Sequence, residues 1–361
     1  MLARAFMSLL LAAIVGQAPA HTAERRSPPL GLDLYMPIPE DNPLTPEKIA
    51  LGRRLFSDRL LSRDGTKACR SCHEPKRGFT DGRPVAVGVL GRTGSRNVPT
   101  LINRGYGRLQ FLDGRVANLE EQVLQPIVNP KELNLTIDDA VARLARTRTY
   151  GDQFEGAFGR AVNAADLARA LASYVRSIVS GNSPYDRFIN GERTTLSAEQ
   201  QAGLRIFRGK GNCTACHVGP TFTDEQFHNT GIAWREPSTL REAQGRPEPS
   251  RGATASTGSE QASAGQARGF QDLGRFAVTG RPEDQGAFKT PTLREIARTA
   301  PYMHDGSLAT LEEVIDFYNG GGRSNPRIDP EIRPLHLPAE EKQALIAFLK
   351  SLSGSIREGQ Q

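Results

Sequence analysis

Two five-residue motifs of identical spacing contain every cysteine in this 361-residue chain. Each has two cysteines around a pair of residues, with a histidine directly after the second: Cys69, Cys72 and His73 in one motif, and Cys213, Cys216 and His217 in the other. This spacing is typical of covalent c-type haem attachment, in which both thiols bond the haem and the histidine ligates its iron. Zinc sites and redox dithiols also use paired cysteines, but neither needs a histidine at that position twice. The sequence therefore predicts two covalent haems, with His73 and His217 as axial ligands.

The segments that precede the two motifs also resemble each other. Residues 45–56 read TPEKIALGRRLF, and residues 197–207 read SAEQQAGLRIF. Thr45, followed by a proline, and Ser197, followed three residues later by Gln200, are signals for the first turn of a helix. Apolar residues then recur at helical spacing. We therefore expect a mostly α fold in which two haem modules similar to cytochrome c pack together, with long loops.

Composition changes along the chain indicate how it is organised. The predicted parts are a signal peptide at 1–20, an irregular lead segment at 21–43, an N-terminal module at 44–188, a C-terminal module at 189–354 and a tail at 355–361. Residues 235–270 are rich in glycine, serine, alanine and charge. Because such a segment buries little apolar surface, we expect a mobile surface loop within the second module.

The first twenty residues have the features of an export signal. Arg4 precedes an apolar stretch from Phe6 to Val15, and small residues end at Ala20. The apolar stretch is too short to span a bilayer, which requires about 20 such residues. We expect cleavage after about Ala20 and export to a bacterial periplasm, with an uncleaved anchor as the alternative. No later segment is predicted to cross a membrane.

The charge of the chain argues against a nucleic-acid partner. The formal net charge is +6, but lysines and arginines are interspersed with acids along the whole sequence. No basic block typical of a nucleic-acid-binding arm is present. A solvated basic surface accounts for the charge better than a site for a polyanion does.

Residues 111–134 bear on whether two haems carry electrons or catalyse a reaction. A carrier keeps both irons six-coordinate, whereas a peroxidase leaves one iron open beside acid–base groups. Asn118 and Glu121 predict a capping box for a short helix that carries Gln122. Pro126 is predicted to end this helix, and Glu132 follows on a loop: both Gln122 and Glu132 are, from the residues alone, compatible with an ordinary surface position.

Ordered motifs across nearly all of the chain outside the 235–270 loop resemble those of the bacterial dihaem cytochrome c peroxidase family, and within it the MauG-like branch. Besides the two haem motifs they are GFTDGRP, RNVPTLIN, DGRVANLEEQ, FKTPTLREIA and APYMHDGSLATLEE. The resemblance implies that Gln122 and Glu132, with Pro126 between them, lie over an open N-terminal haem. There Glu132 would move a proton between the two oxygens of hydrogen peroxide, and Gln122 would hydrogen-bond the peroxide.

The same resemblance implies a calcium ion between the two modules. Its protein ligands would be the side chain of Asn97 and the backbone carbonyls of Thr299 and Pro301. Such oxygen donors suit a hard cation. The resemblance also implies that His304 lies near the haems without ligating either iron.

The chain departs from the family at several positions. Val89 stands where classical members often have a histidine that caps the N-terminal iron, so we expect a haem that is open without reductive activation, as in MauG-like proteins. Leu112 and Gly211 stand where relatives have tryptophan, and the one tryptophan of this chain is Trp234. We therefore do not expect the oxidising equivalents to pass between the haems through tryptophan side chains, as the resemblance to MauG would imply.

The second axial ligand of the His217 haem is predicted to be Tyr318. It lies fourteen residues after His304, where the family has methionine in classical peroxidases and tyrosine in MauG. A phenolate is a hard anionic ligand that favours ferric and higher oxidation states. The alternatives are Met303 as ligand and Tyr318 as an ordinary core aromatic residue.

Together these features predict a periplasmic dihaem peroxidase. Hydrogen peroxide would be reduced at the N-terminal haem, and the oxidising equivalents would pass through the C-terminal haem to an external donor, a small cytochrome c or a cupredoxin. One alternative is a MauG-type enzyme that oxidises a tryptophan or tyrosine side chain of a partner protein. The other is a dihaem electron carrier without catalytic activity. The sequence does not identify the donor or the oligomeric state.

Overall fold

The computed structural model describes residues 27–235 and 269–359. The predicted signal peptide at 1–20 lies outside the described residues, as does all but the ends of the predicted loop at 235–270. Helices dominate the described part, as the sequence predicts, and its strands contain only two or three residues each. None of the helices in this part is long and apolar enough to cross a lipid bilayer.

The helices and strands of the described residues fall into two similar halves. In the first half, the α-helices are α1 (Pro46–Ser57), α2 (Leu119–Gln122), α3 (Gln125–Val128), α4 (Ile137–Ala145), α5 (Arg148–Phe158) and α6 (Ala164–Arg176). In the second half they are α7 (Pro184–Ile189), α8 (Ala198–Arg208), α9 (Phe276–Thr279), α10 (Leu311–Asn319) and α11 (Ala339–Lys350). The strands are β1 (Val179–Gly181), β2 (Phe227–His228), β3 (Phe288–Lys289) and β4 (Ser355–Arg357).

Helix α1 packs against α6 in the first half, and α8 packs against α11 in the second half. A Cβ atom on Gly52 of α1 would lie 2.8 Å from the Cβ of Tyr174 and closer still to the carbonyl oxygen of Ala170. A Cβ atom on Gly203 of α8 would lie 2.7 Å from the Cβ of Phe348. Glycine is therefore needed at both places, because only its missing side chain lets the two backbones approach so closely. This shared contact supports the internal repeat seen in the sequence.

Each pair of packed helices lies in a hydrophobic core of its own. The first core is built from buried side chains between residues 49 and 178, and the second from buried side chains between residues 196 and 352. Tyr185 and Phe188 of α7 pack against the second core. By packing, α7 belongs with the second half, although the sequence placed the boundary after residue 188. A helix of six residues at a predicted boundary does not indicate from its own sequence which core it joins.

Strand β4 ties the end of the chain to the first half. It pairs antiparallel with β1, where Ser180 lies opposite Ile356, and Ile356 packs against the first core. Glu358 accepts a hydrogen bond from the Tyr174 hydroxyl at 2.7 Å. The prediction of a tail at 355–361 is therefore wrong for these residues, because pairing between distant segments leaves no local pattern in so short a strand.

The irregular lead segment predicted at 21–43 contains no helix or strand in its described part. Its backbone is nevertheless held at defined points. Leu30 N donates to Asn182 Oδ1 at 2.9 Å, and Arg294 Nη2 donates to Gly31 O at 2.7 Å. The segment thus contacts the chain where the two halves meet.

Candidate active site

The two cysteine–histidine motifs have the same local geometry. Each begins with a 3-10 turn, Cys69–Ser71 or Cys213–Ala215, and all four cysteines are free of disulfide bonds. Nδ1 of His73 lies 3.0 Å from the carbonyl oxygen of Phe79, and Nδ1 of His217 lies 2.9 Å from that of Phe222. A carbonyl only accepts, so Nδ1 carries the proton in both histidines and Nε2 is left to ligate a metal.

The backbone after each motif is shaped to present this carbonyl. Phe79 has φ 61° and Phe222 has φ 54°, in the left-handed region that a large side chain seldom adopts. Burial lowers the pKa of His73 and of His217. Both imidazoles are therefore favoured in the neutral form that ligates a metal.

One continuous cavity of about 730 Å³ contacts both motifs. The predicted site residues that line it, besides the cysteines and histidines of the motifs, are Asn97, Gln122, Pro126, Glu132, Thr299, Pro301, Met303, His304 and Tyr318. The donor set fits two covalent haems: each site has two thiols outside any disulfide bond and a histidine whose protonated Nδ1 leaves Nε2 to ligate a metal, and both sites open into this cavity. The structure thus brings all the predicted site residues to one cavity.

Glu132 is a half-buried carboxyl group with a single side-chain hydrogen-bond partner. Asn129 Nδ2 donates to Glu132 Oε1 at 2.7 Å. Burial raises the pKa of Glu132, while the hydrogen bond from Asn129 and the charge of Arg115 oppose this rise. Its charge also contributes to raising the pKa of Cys69 and of Cys72, so Glu132 lies close to the first haem motif. A carboxyl with raised proton affinity next to a haem site suits proton transfer.

The helix that carries Gln122 begins as predicted and ends earlier than predicted. The Asn118 side chain accepts from Glu121 N at 2.9 Å, which caps α2. Helix α2 ends at Gln122, and α3 then starts with Pro126 in its first turn. The prediction that Pro126 ends the first helix is therefore wrong. Proline lacks only a backbone N–H that the first turn of a helix leaves unpaired, so it starts helices readily.

Val89, which replaces the capping histidine of classical members, is packed away from solvent. Its side chain is buried, and its backbone N–H donates to Glu132 O at 2.8 Å. Leu112 and Gly211 both line the cavity, and Trp234 packs on Phe270 with ring centroids 4.9 Å apart. The cavity lining therefore has no indole among the described residues.

Tyr318 projects from helix α10, which Thr310 caps by accepting from Glu313 N at 3.1 Å. The Tyr318 side chain lines the cavity, and its hydroxyl has no hydrogen-bond partner among residues 27–235 and 269–359. Burial raises its pKa, and the nearby Cys216 and Cys213 add to this shift. A phenol oxygen without a protein partner, close to the second haem motif, fits an axial ligand. Met303 also lines the cavity.

The residues expected around calcium and near the haems are held by backbone contacts. Asn97 Nδ2 donates to Arg83 O at 2.7 Å, so Asn97 Oδ1 is free of described partners, and Asn97 N donates to His304 O at 2.7 Å. The His304 ring stacks on Phe288, with centroids 3.8 Å apart and planes 10° from parallel. Burial lowers the pKa of His304.

The sequence interpretation missed His228. Its Nδ1 lies 2.6 Å from Asp329 Oδ2, its Nε2 lies 3.0 Å from Asp224 Oδ2, and it lines the cavity beside Cys216. The hydrogen bond with Cys216, followed by those with Asp329 and Asp224, raises the pKa of His228 to about 10. No local pattern marks this residue, because Asp329 lies far along the chain.

Comparison with known proteins identifies the family. The di-haem cytochrome c peroxidase family matches residues 46–194. The methylamine utilization protein MauG of Methylorubrum extorquens is 36% identical over 321 residues, which cover 88% of this chain and 81% of that protein. Cytochrome-c peroxidase IdrP1 of a Pseudomonas species is 38% identical over 357 residues, which cover 97% of this chain and 92% of that protein.

A solved structure agrees with these sequence matches. The crystal structure of a MauG-like protein associated with microbial copper homeostasis superimposes with a TM-score of 0.75 at 32% identity, and the match covers 94% of this chain and 96% of that one. The chain therefore belongs to the dihaem cytochrome c peroxidase family, which includes MauG, and is a peroxidase-type oxidoreductase with two haems.

Proposed function

We propose that this enzyme reduces hydrogen peroxide on the cavity side of His73 and passes the oxidising equivalents to the site of His217 and Tyr318. An external protein, a small cytochrome c or a cupredoxin, then supplies the electrons. The single cavity that connects the two sites supports this route. When bound, the haem at His73 supplies the iron that binds peroxide and takes up its oxidising equivalents.

The protein groups beside His73 then handle protons. Glu132, as carboxylate, takes the proton from the peroxide oxygen that would bind the iron and returns it to the other oxygen, which leaves as water. The Gln122 amide hydrogen-bonds the peroxide. Pro126 fixes the backbone between Gln122 and Glu132. The observation that carries the proposal is that Glu132 is half-buried beside the first haem motif, has a raised pKa and lines the same cavity as His73.

We assign Tyr318 as the second axial ligand at the His217 site. Its hydroxyl lacks a described protein partner and lies near Cys213 and Cys216. A tyrosine ligand favours the oxidised forms of haem, so the second site would store oxidising equivalents. We also assign a calcium site to Asn97 Oδ1 with the carbonyls of Thr299 and Pro301. All three residues line the cavity, and Asn97 Oδ1 has no described hydrogen-bond partner.

A second candidate function is oxidation of a tryptophan or tyrosine side chain in a partner protein. Two observations favour it: the buried valine at position 89, which leaves the first site uncapped, and Tyr318 at the second site. A relative with 36% identity is the methylamine utilization protein MauG. Both functions share the peroxide step at Glu132 and differ in what the second site oxidises. The signal peptide predicted at 1–20 would direct either enzyme to the periplasm.

The peroxide step is tested by Glu132→Gln, which keeps the size of the side chain and removes its basicity. Glu121→Gln is the matched control, because Glu121 is exposed and glutamine keeps the oxygen that accepts from Asn118 Nδ2. Peroxide consumption is measured with reduced cytochrome c as donor. We expect Glu132→Gln to lower kcat/KM by about 100- to 10,000-fold, the usual range for general acid–base catalysis, and the control to match wild type. Equal rates in the two variants would rule out this role for Glu132.

The donor is tested separately from the peroxide step. Wild-type enzyme and peroxide are mixed with reduced cytochrome c, with a reduced cupredoxin, or with co-expressed exported proteins. Rapid oxidation of a small donor supports the peroxidase function. A mass change or crosslink in a co-expressed protein, without turnover of either small donor, supports the modifying function instead.

A further inference from the structure

Four buried polar side chains meet where the two halves of the protein join. Arg104 and Gln110 come from the first half, and Glu225 and Lys289 come from the second; they are called the seam cluster here. Only 15% of the Arg104 side chain, 11% of Glu225 and 5% of Lys289 are exposed. Gln110 is 3% exposed. Arg104, Gln110 and Lys289 line the cavity between the two haem motifs.

Arg104 makes hydrogen bonds within the protein from all three of its side-chain nitrogens. Its Nη1 donates to Glu225 Oε1 at 2.7 Å, and its Nη2 donates to Leu109 O at 2.9 Å and to Gln110 Oε1 at 3.2 Å. Because a guanidinium only donates, the amide oxygen of Gln110 must face Arg104. The amide nitrogen of Gln110 is thereby turned away from Arg104, and it has no hydrogen-bond partner in the described part of the chain.

Lys289 also has a donor to spare. Its ammonium donates to Leu109 O at 2.5 Å and lies 3.6 Å from Glu225 Oε2. An ammonium has three N–H donors, so one is left without a partner among the described residues. Burial, with the charge of Arg104, lowers the pKa of Lys289 to about 7.

The charges of the seam cluster do not cancel. When Lys289 is protonated, Arg104 and Lys289 contribute two positive charges, and Glu225 contributes one negative charge. A further acid that acts on Lys289, Asp113, is already bonded to Arg96 at 2.6 Å and to Arg115 at 2.8 Å. A buried positive charge without a counter-ion is strongly unfavourable, so an anion bound in the cavity would stabilise the cluster with Lys289 protonated.

We infer that the seam cluster binds one propionate carboxylate of a haem, with the amide nitrogen of Gln110 and the ammonium of Lys289 as the donors. A carboxylate has two oxygens that accept such bonds, and it carries the single negative charge that the cluster lacks. Arg104 orients Gln110 by bonding its amide oxygen. Because Gln110 and Lys289 belong to different halves, the haem would hold the halves together. Binding of the propionate does not depend on which protein supplies electrons.

The test uses the haem-loaded full chain and reads the propionate directly. Lys289→Met removes the charged donor, and Lys289→Arg keeps it. Gln110→Glu keeps an oxygen for Arg104 but replaces the spare amide donor with negative charge. Lys76→Met, at an exposed lysine outside the cavity lining, is the control.

We expect Lys289→Met and Gln110→Glu to shift the propionate bending bands in resonance Raman spectra and to lower the midpoint potential of one haem. Lys289→Arg and the control should retain the wild-type bands. Electron paramagnetic resonance of the two ferric haems then identifies whose propionate is bound. If Lys289→Met fails to mature, Gln110→Glu and Lys289→Arg decide the question by themselves.

Two results would overturn the inference. Propionate bands that stay unchanged in both Lys289→Met and Gln110→Glu would mean that no propionate reaches the cluster. In Gln110→Glu, the new carboxylate would then pair with Lys289 without displacing a propionate. The second result combines propionate bands that no variant changes with a midpoint potential that shifts when chloride is replaced by a bulky anion. It would assign the cluster to a free small anion instead.

Discussion

Replacing Gly52 with alanine should force helices α1 and α6 apart and destabilise the first half of the protein. The new Cβ atom would lie 2.8 Å from the Cβ of Tyr174, which is 0.6 Å inside the 3.4 Å at which ordinary van der Waals contact begins. It would lie closer still to the carbonyl oxygen of Ala170, and a helix backbone cannot rotate away as a side chain can. Overpacking costs about 1–3 kcal/mol, and we expect the upper end of this range because backbone is the obstacle.

Gly156→Ala is the matched control for this prediction. Gly156 lies within α5, and a Cβ atom there would meet nothing within 4 Å. Alanine is favoured over glycine in an open helix position by about 0.5–1 kcal/mol, so this variant should be stabilised. Thermal unfolding followed by far-UV circular dichroism measures both, since 1 kcal/mol moves Tm by about 2–4 °C in a chain of about 150–250 residues. If Gly52→Ala unfolds at or above the wild-type temperature, the close-packing explanation is refuted.

Three further predictions concern the site. Burial raises the pKa of Glu132, and its carboxylate form accepts the proton, so peroxide turnover should fall as the pH drops through a value above the ordinary carboxyl range. A stopped-flow pH profile without this acid-side fall would contradict the role of Glu132 as base. Tyr318→Phe should leave both haems attached by mass spectrometry yet change the ferric spectrum of one of them, whereas unaltered spectra would exclude axial ligation. Asn97→Leu should lower the bound calcium measured by atomic emission and reduce turnover while both haems stay attached, and calcium content equal to wild type would remove Asn97 from that site.

Residues that act through a neighbour in the chain could be predicted from the sequence. His73 and His217 each follow a cysteine directly, so five residues are enough to predict them as ligands. Thr45 and Ser197 each accept a bond from the backbone N–H three residues ahead, and this local geometry is why their helices begin where predicted. The position of Pro126 was misjudged because the same residue that stops one helix is suited to start another.

Residues that act through distant contacts could not be found in this way. His228 meets Asp329, β4 pairs with β1, and Gln110 and Lys289 reach the same cavity only after both halves have packed. The sequence by itself predicted which residues attach two haems and determined that a helix precedes each motif, because covalent attachment and helix capping depend on spacing along the chain. Only the tertiary structure decided that both cysteine–histidine motifs line one cavity and that Arg104, Lys289 and Glu225 meet beside it, because burial and charge balance depend on which segments come together in space.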